Sequence, residues 1–179
     1  MITTTATHNS DNTTIANATV PINSCQDVNS QLDSVMAQLW PGNVSTVLCN
    51  FSIPEFACAS FANLSSDDLV TLLACKLPSG GIYSKEIWEL FVQKFSASLE
   101  EALDKYSNET PLIRLPSPSI LDGISVIKVN KFSDAELKNV TFITTWFQIR
   151  LRPFLASAST DFLSSLSSKN FSCQTYQVV

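Results

Sequence analysis

Four glycines and one histidine are all that 179 residues contain of either type, and no lysine or arginine precedes Lys76. So few glycines leave no phosphate-cradling loop, and neither G-x-S-x-G nor H-E-x-x-H occurs. The histidine, His8, lies in a Thr/Asn-rich stretch without apolar periodicity. No Ser-His or Cys-His pair can be held there in catalytic geometry, so the chain is expected to be non-enzymatic. Residues 1–75 carry acidic groups alone, at Asp11, Asp27, Asp33, Glu55, Asp67 and Asp68. Without clustered lysine and arginine, nucleic acid is excluded as a partner. Long apolar runs are missing as well. Nothing spans a bilayer, and Met1 to Val20 shows neither the basic start nor the apolar centre of a secretory signal.

Cysteine is present but never as C-x-x-C, which removes zinc-finger and thioredoxin chemistry; no metal and no cofactor are expected. Cys25, Cys49, Cys58, Cys75 and Cys173 suit an oxidising compartment, with two bridges and one thiol left over. Four bonded cysteines allow three connectivities. Cys58 with Cys75 and Cys49 with Cys58 are both open pairings. The same compartment is indicated by asparagine. Eight of the twelve asparagines stand in N-x-Ser/Thr, namely Asn12, Asn17, Asn43, Asn50, Asn63, Asn108, Asn139 and Asn170. With serine and threonine at roughly a fifth of the chain, about three would do so by chance. Asn50, Asn63 and Asn170 each precede a serine that has a separate reason to be there, given below.

An apolar content of 45% is ample for a core in one domain. Residues 1–23 read as a disordered tail, dense enough in Ser/Thr for O-glycans. A helical domain is expected over 24–179, truncated at Gln177-Val178-Val179, so that the sequence reads as a fragment whose leader and any anchor lie elsewhere. Val28, Leu32, Val35, Met36 and Leu39 recur at helical spacing and Pro41-Gly42 ends the run. A recurrent start then appears four times: an apolar residue, a serine, and an apolar residue four positions on. Ser52, Ser65, Ser133 and Ser172 are each placed as helix N-caps, with Glu55, Asp68 and Glu136 positioned to complete capping boxes. Ser84 opens the longest helix, with Ile87, Phe91, Phe95, Leu99, Leu103 and Tyr106 on one face. Pro111, Pro116 and Pro118 forbid helix across residues 107–119. A short helix over Ser119 to Gly123 is followed by residues 124–130, whose alternation reads as extended linker. Phe142, Ile143, Trp146, Phe147 and Leu151 form a helix that Pro153 should stop or kink, and Phe162, Leu163 and Leu166 supply another. About eight short helices and no sheet predict an all-α fold. The expected form is an irregular right-handed α-solenoid, an armadillo-like superhelix, rather than a four-helix bundle.

The run Leu166-Ser167-Ser168-Lys169-Asn170-Phe171-Ser172-Cys173, with Asn63 to Leu69 similar in kind, resembles the repeat units of the mesothelin, stereocilin and otoancorin family. That resemblance implies a superhelical glycoprotein, extracellular or at the cell surface. It would act in cell adhesion and cell-matrix attachment, with a protein, mucin or extracellular-matrix component as partner. No small-residue, spacer and apolar-tail signal for a lipid anchor follows. The other reading is a secreted, disulfide-stapled carrier of a lipid or other apolar ligand, using Phe56, Phe61, Trp88, Phe91, Trp146 and Phe147. Among charged residues, Asp67 and Asp68 suit the opening turn of a helix, Glu100 and Glu101 a solvated face, and Arg150 and Arg152 a helix C-terminus.

Overall fold

The computed structural model describes residues 25–28, 31–39, 42, 44–77, 83–109 and 119–179. Within them the chain is helical, with no strand. The expected tail, and with it Asn12, Asn17 and His8, lies outside the described residues, as does Asn43.

Ten α-helices are found among the described residues: α1 Leu32–Leu39, α2 Ile53–Cys58, α3 Ser66–Lys76, α4 Lys85–Lys94, α5 Ser96–Glu109, α6 Ser119–Ile127, α7 Asp134–Leu137, α8 Val140–Thr144, α9 Thr160–Ser167 and α10 Cys173–Tyr176. Short 3-10 turns connect several of them, and α8 runs directly into a π-helical turn, Thr145–Arg150. Polar caps start most of these helices. Ser65 Oγ accepts from the Asp68 N–H at 3.1 Å, Ser133 Oγ from Glu136 at 3.3 Å and Ser172 Oγ from Thr175 at 3.2 Å. Glu55 and Glu136 reach back to the N–H groups of Ser52 and Ser133 at 2.7 and 2.8 Å, and Asp68 to that of Ser65 at 3.2 Å. Each contact satisfies a first-turn donor that would otherwise lack a partner. Ser84, Asn139 and Ser159 cap α4, α8 and α9 in the same way.

Helices pack mainly on their second neighbours in sequence. α4 lies between α2 and α6, and α6 also meets α9; α5 lies between α3 and the π-helical turn. One apolar core runs through all of this. Trp88, Trp146, Phe56, Phe91, Phe95, Phe147, Phe154 and Phe162 are its largest fully buried side chains, each burial being worth about 1.5–3 kcal/mol. The six aromatics considered for a ligand cavity fall here, five of them buried and Phe61 half-buried against the core.

Four local expectations are corrected. The single helix expected from Ser84 divides at Phe95, whose backbone (φ −100°, ψ 19°) leaves helical values. The apolar stripe continues across the break, so α4 and α5 serve different neighbours with one face. α5 also runs to Glu109, which places Asn108 on a helix instead of in a loop. Residues 124–130 are not extended: α6 continues through Gly123 to Ile127, and Val129–Lys131 forms a 3-10 turn. The alternation that looked strand-like arises because Ile124 and Val129 are core residues while Lys128 and Asn130 are not. Leu163, expected to face inward, is 55% exposed.

The end of α2 is held from two sides. Lys94 Nζ donates to the carbonyls of Phe56, at 3.0 Å, and Ala59, a cation placed where a helix presents unpaired oxygens. Burial pushes this lysine below its ordinary pKa. Asp33 of α1 accepts from the N–H groups of Ser60 at 2.9 Å and Phe61 at 2.7 Å, and the Ser60 bond leads in holding its carboxyl below the usual range.

Two disulfides close the N-terminal part. Cys25 joins Cys58 and Cys49 joins Cys75, and Cys173 is free and exposed. Neither pairing considered from the sequence is formed. Cys58 ends α2, which packs on α4, whereas Cys75 lies in α3, which packs on α5, so α2 and α3 are not partners. Cys49 lies in the 3-10 turn Leu48–Asn50, which does pack on α3.

Candidate functional site

Two surface features stand out, a set of acceptor asparagines and a cleft beside the π-helical turn. Asn50, Asn63, Asn108, Asn139 and Asn170, the acceptors within the described residues, are all exposed. Asn50, Asn63 and Asn170 lie two residues ahead of the helix-starting serines Ser52, Ser65 and Ser172. Asn139 is itself a cap: its Oδ1 accepts from the Phe142 N–H at 3.1 Å. An N-linked sugar attaches through the amide nitrogen and leaves that oxygen free to accept, so capping and glycosylation are compatible at this residue.

The cleft has a volume of roughly 420 Å³ and lies between the start of α5, the end of α6, α7 and α8. Ser96, Glu100, Lys128, Lys131, Glu136 and Trp146 are among its lining residues, together with Phe132 and Phe142. Behind it runs a charge network that sequence spacing does not reveal. Arg150 donates from Nε and Nη2 to the two oxygens of Asp104, at 2.8 and 3.1 Å, and from Nη1 to Glu100 at 2.8 Å. Lys128 donates to the other Glu100 oxygen at 3.0 Å and to the carbonyl of Ser96 at 3.3 Å. Glu100 is therefore no solvated bystander, and Arg150 does not act as helix-end charge alone: its side chain is only 14% exposed and stacks over Trp146, 4.8 Å from the ring centroid. Burial alone would lower the Arg150 pKa, but the bonds to Asp104 and Glu100 outweigh it and raise the guanidinium further. By contrast Glu101 meets Lys105, which also reaches Asp67 at 2.6 Å and so ties α5 to the start of α3. Arg152 is exposed.

The π-helical turn puts these groups in place. Its wider winding, with the Leu151 N–H reaching back to the Trp146 carbonyl at 2.8 Å, carries Trp146, Phe147 and Arg150. Such turns are rare and concentrate at functional positions. The buried Ser107 hydroxyl of α5 donates to the carbonyl of Ile149 within it. Trp146 leaves one need unmet: its indole Nε1 is buried without a hydrogen-bond partner, as is that of Trp88. A sequence signal for this site exists only in part, since Trp146 and Arg150 are visible as residues but their partners in α5 lie more than forty positions away. Among the described residues no three of His, Cys, Asp and Glu gather as a metal site requires, and no helix is long and apolar enough to cross a membrane. No family model, curated protein or solved structure matches this chain.

Proposed function

We propose that this chain is a non-enzymatic interaction module of an extracellular or cell-surface glycoprotein, acting in cell adhesion or cell-matrix attachment. The observation that carries this reading is the combination of two disulfides with five described acceptor asparagines that are all exposed. Disulfides persist in oxidising compartments, where N-glycans are also added, and a glycan needs exposed surface of this kind. Second-neighbour helix packing supports an irregular α-solenoid, in which alternate helices form two rows and leave an extended face for a partner protein, mucin or matrix component. A relation to the mesothelin, stereocilin and otoancorin proteins rests on the serine-capped helix starts at Ser65 and Ser172.

Secretion from a eukaryotic host behind a supplied leader, followed by amidase digestion and intact-mass measurement, tests the compartment. Loss of mass on digestion is expected, and an unchanged mass would overturn the glycoprotein reading. Binding of coated beads to mucin and matrix surfaces then tests adhesion.

A further inference from the structure

The cleft has an imbalance between donors and acceptors. Three of its four carboxylate oxygens are engaged: both of Glu100 are bonded to Lys128 and Arg150, and Glu136 Oε2 accepts from the Ser133 N–H and hydroxyl. Two of its donors are not. Lys131, which ends the 3-10 turn Val129–Lys131, is exposed and its ammonium has no partner among the described residues. The Trp146 indole N–H is buried and unpaired, a state that costs about 1–3 kcal/mol. Phe132 and Phe142, both half-buried, line the same cleft, with ring centroids 5.1 and 6.4 Å from that of Trp146. The missing chemistry is thus an anionic acceptor attached to something apolar. A polyanion is disfavoured, because Glu100 and Glu136 share the walls and the chain as a whole carries net charge −5. The volume falls within the roughly 300–1,000 Å³ of small-molecule sites.

We propose that the cleft binds a small monocarboxylic acid with an aromatic or aliphatic body. The carboxylate pairs with Lys131 and accepts from the Trp146 indole N–H, and the body packs on Phe132 and Phe142. Phe132, partly buried against Phe142 and Trp146, changes rotamer to admit it. This site is independent of whether the chain carries glycans.

The test is a ¹⁵N NMR titration of the disulfide-bonded chain with 3-phenylpropionate, using 3-phenylpropanol and 3-phenylpropylamine as neutral and cationic controls. Trp146→Phe identifies the indole resonance. The expected result is a saturable downfield shift of that resonance with the acid alone. Lys131→Ala should weaken binding roughly tenfold or more and Lys131→Glu abolish it, while Lys138→Ala leaves it unchanged. No saturable shift, equal binding of the alcohol or the amine, or an unaltered Kd in Lys131→Ala would each overturn the proposal.

Discussion

Gly123 of α6 lies against Trp88 of α4 so closely that a Cβ on the glycine would come within 2.9 Å of the tryptophan Cβ and 3.0 Å of its carbonyl carbon. The contact is with backbone and the root of a side chain, neither of which can swing away. Gly123→Ala should therefore destabilise the fold even though alanine is the better helix former by about 1 kcal/mol. Overpacking costs about 1–3 kcal/mol, so a net loss is expected, read as a lower urea midpoint at unchanged slope. A midpoint that rises would show that α4 and α6 can separate freely.

Arg150 joins α5 to the π-helical turn through Asp104 and Glu100. Its own side chain is largely buried, but the two carboxylates are 39% and 42% exposed, which places the network between surface and buried pairs. Arg150→Ala should cost about 1–3 kcal/mol. Arg150→Lys should recover little, because an ammonium cannot serve both carboxylates with three directed bonds. A double-mutant cycle with Asp104→Ala checks the coupling, and additive losses would mean that the pair contributes nothing of its own.

Asp33 sets an acid limit. Its folded pKa lies below the ordinary aspartate value because the charged form accepts N–H bonds from Ser60 and Phe61. As pH falls, the unfolded chain takes up the proton first. The contribution is therefore complete above the unfolded pKa, near 3.8, and disappears as pH drops through the folded value. Glu136, lowered chiefly by the Ser133 N–H, adds in the same direction. Asp33→Asn should lower stability at neutral pH and flatten its decline in acid, measured by urea unfolding at several pH values.

The bridges join residues 33 and 26 positions apart. Replacing either pair by alanine should cost about 2–4 kcal/mol on chain-entropy grounds. Under native, non-reducing conditions an alkylating reagent should add to one thiol, at Cys173, and peptide mapping locates it. Modification of Cys25, Cys49, Cys58 or Cys75 would contradict the connectivity.

Asn139 separates two roles that usually fail together. Asn139→Gln removes both the cap and the acceptor, whereas Thr141→Ala removes the acceptor and keeps the capping oxygen. Material made without glycosylation should lose about 0.5–2 kcal/mol in Asn139→Gln and nothing measurable in Thr141→Ala. Equal losses would mean that the hydrogen bond to Phe142 does not stabilise α8.

The all-helical class was legible because its signals are local. A serine cap acts within four residues, and apolar spacing at Leu32 and Met36 or at Ile87 and Phe91 needs no knowledge of the rest of the chain. What escaped reading depends on residues far apart. Helix α6 continues past Gly123 because that glycine meets Trp88, not because Ile124 to Asn130 favour helix. The bridges follow which helices touch, and Glu100 looks solvent-facing until Arg150, fifty positions later, is placed beside it. The cleft was illegible for a similar reason: Lys131 and Trp146 gain their relation only when α8 changes winding after Thr144.

The two bridges interleave, since Cys49 lies inside the loop closed by Cys25 and Cys58. Tension applied at Cys25 and Cys75 would pass across one sulfur bond, back along the chain from Cys58 to Cys49, and out across the other. Only that short return path can lengthen, so nearly all of the contour between the outer cysteines stays hidden from a pulling force. A chain built this way transmits load with little give between Cys25 and Cys75, and yields first in the bridge-free helices beyond Lys76.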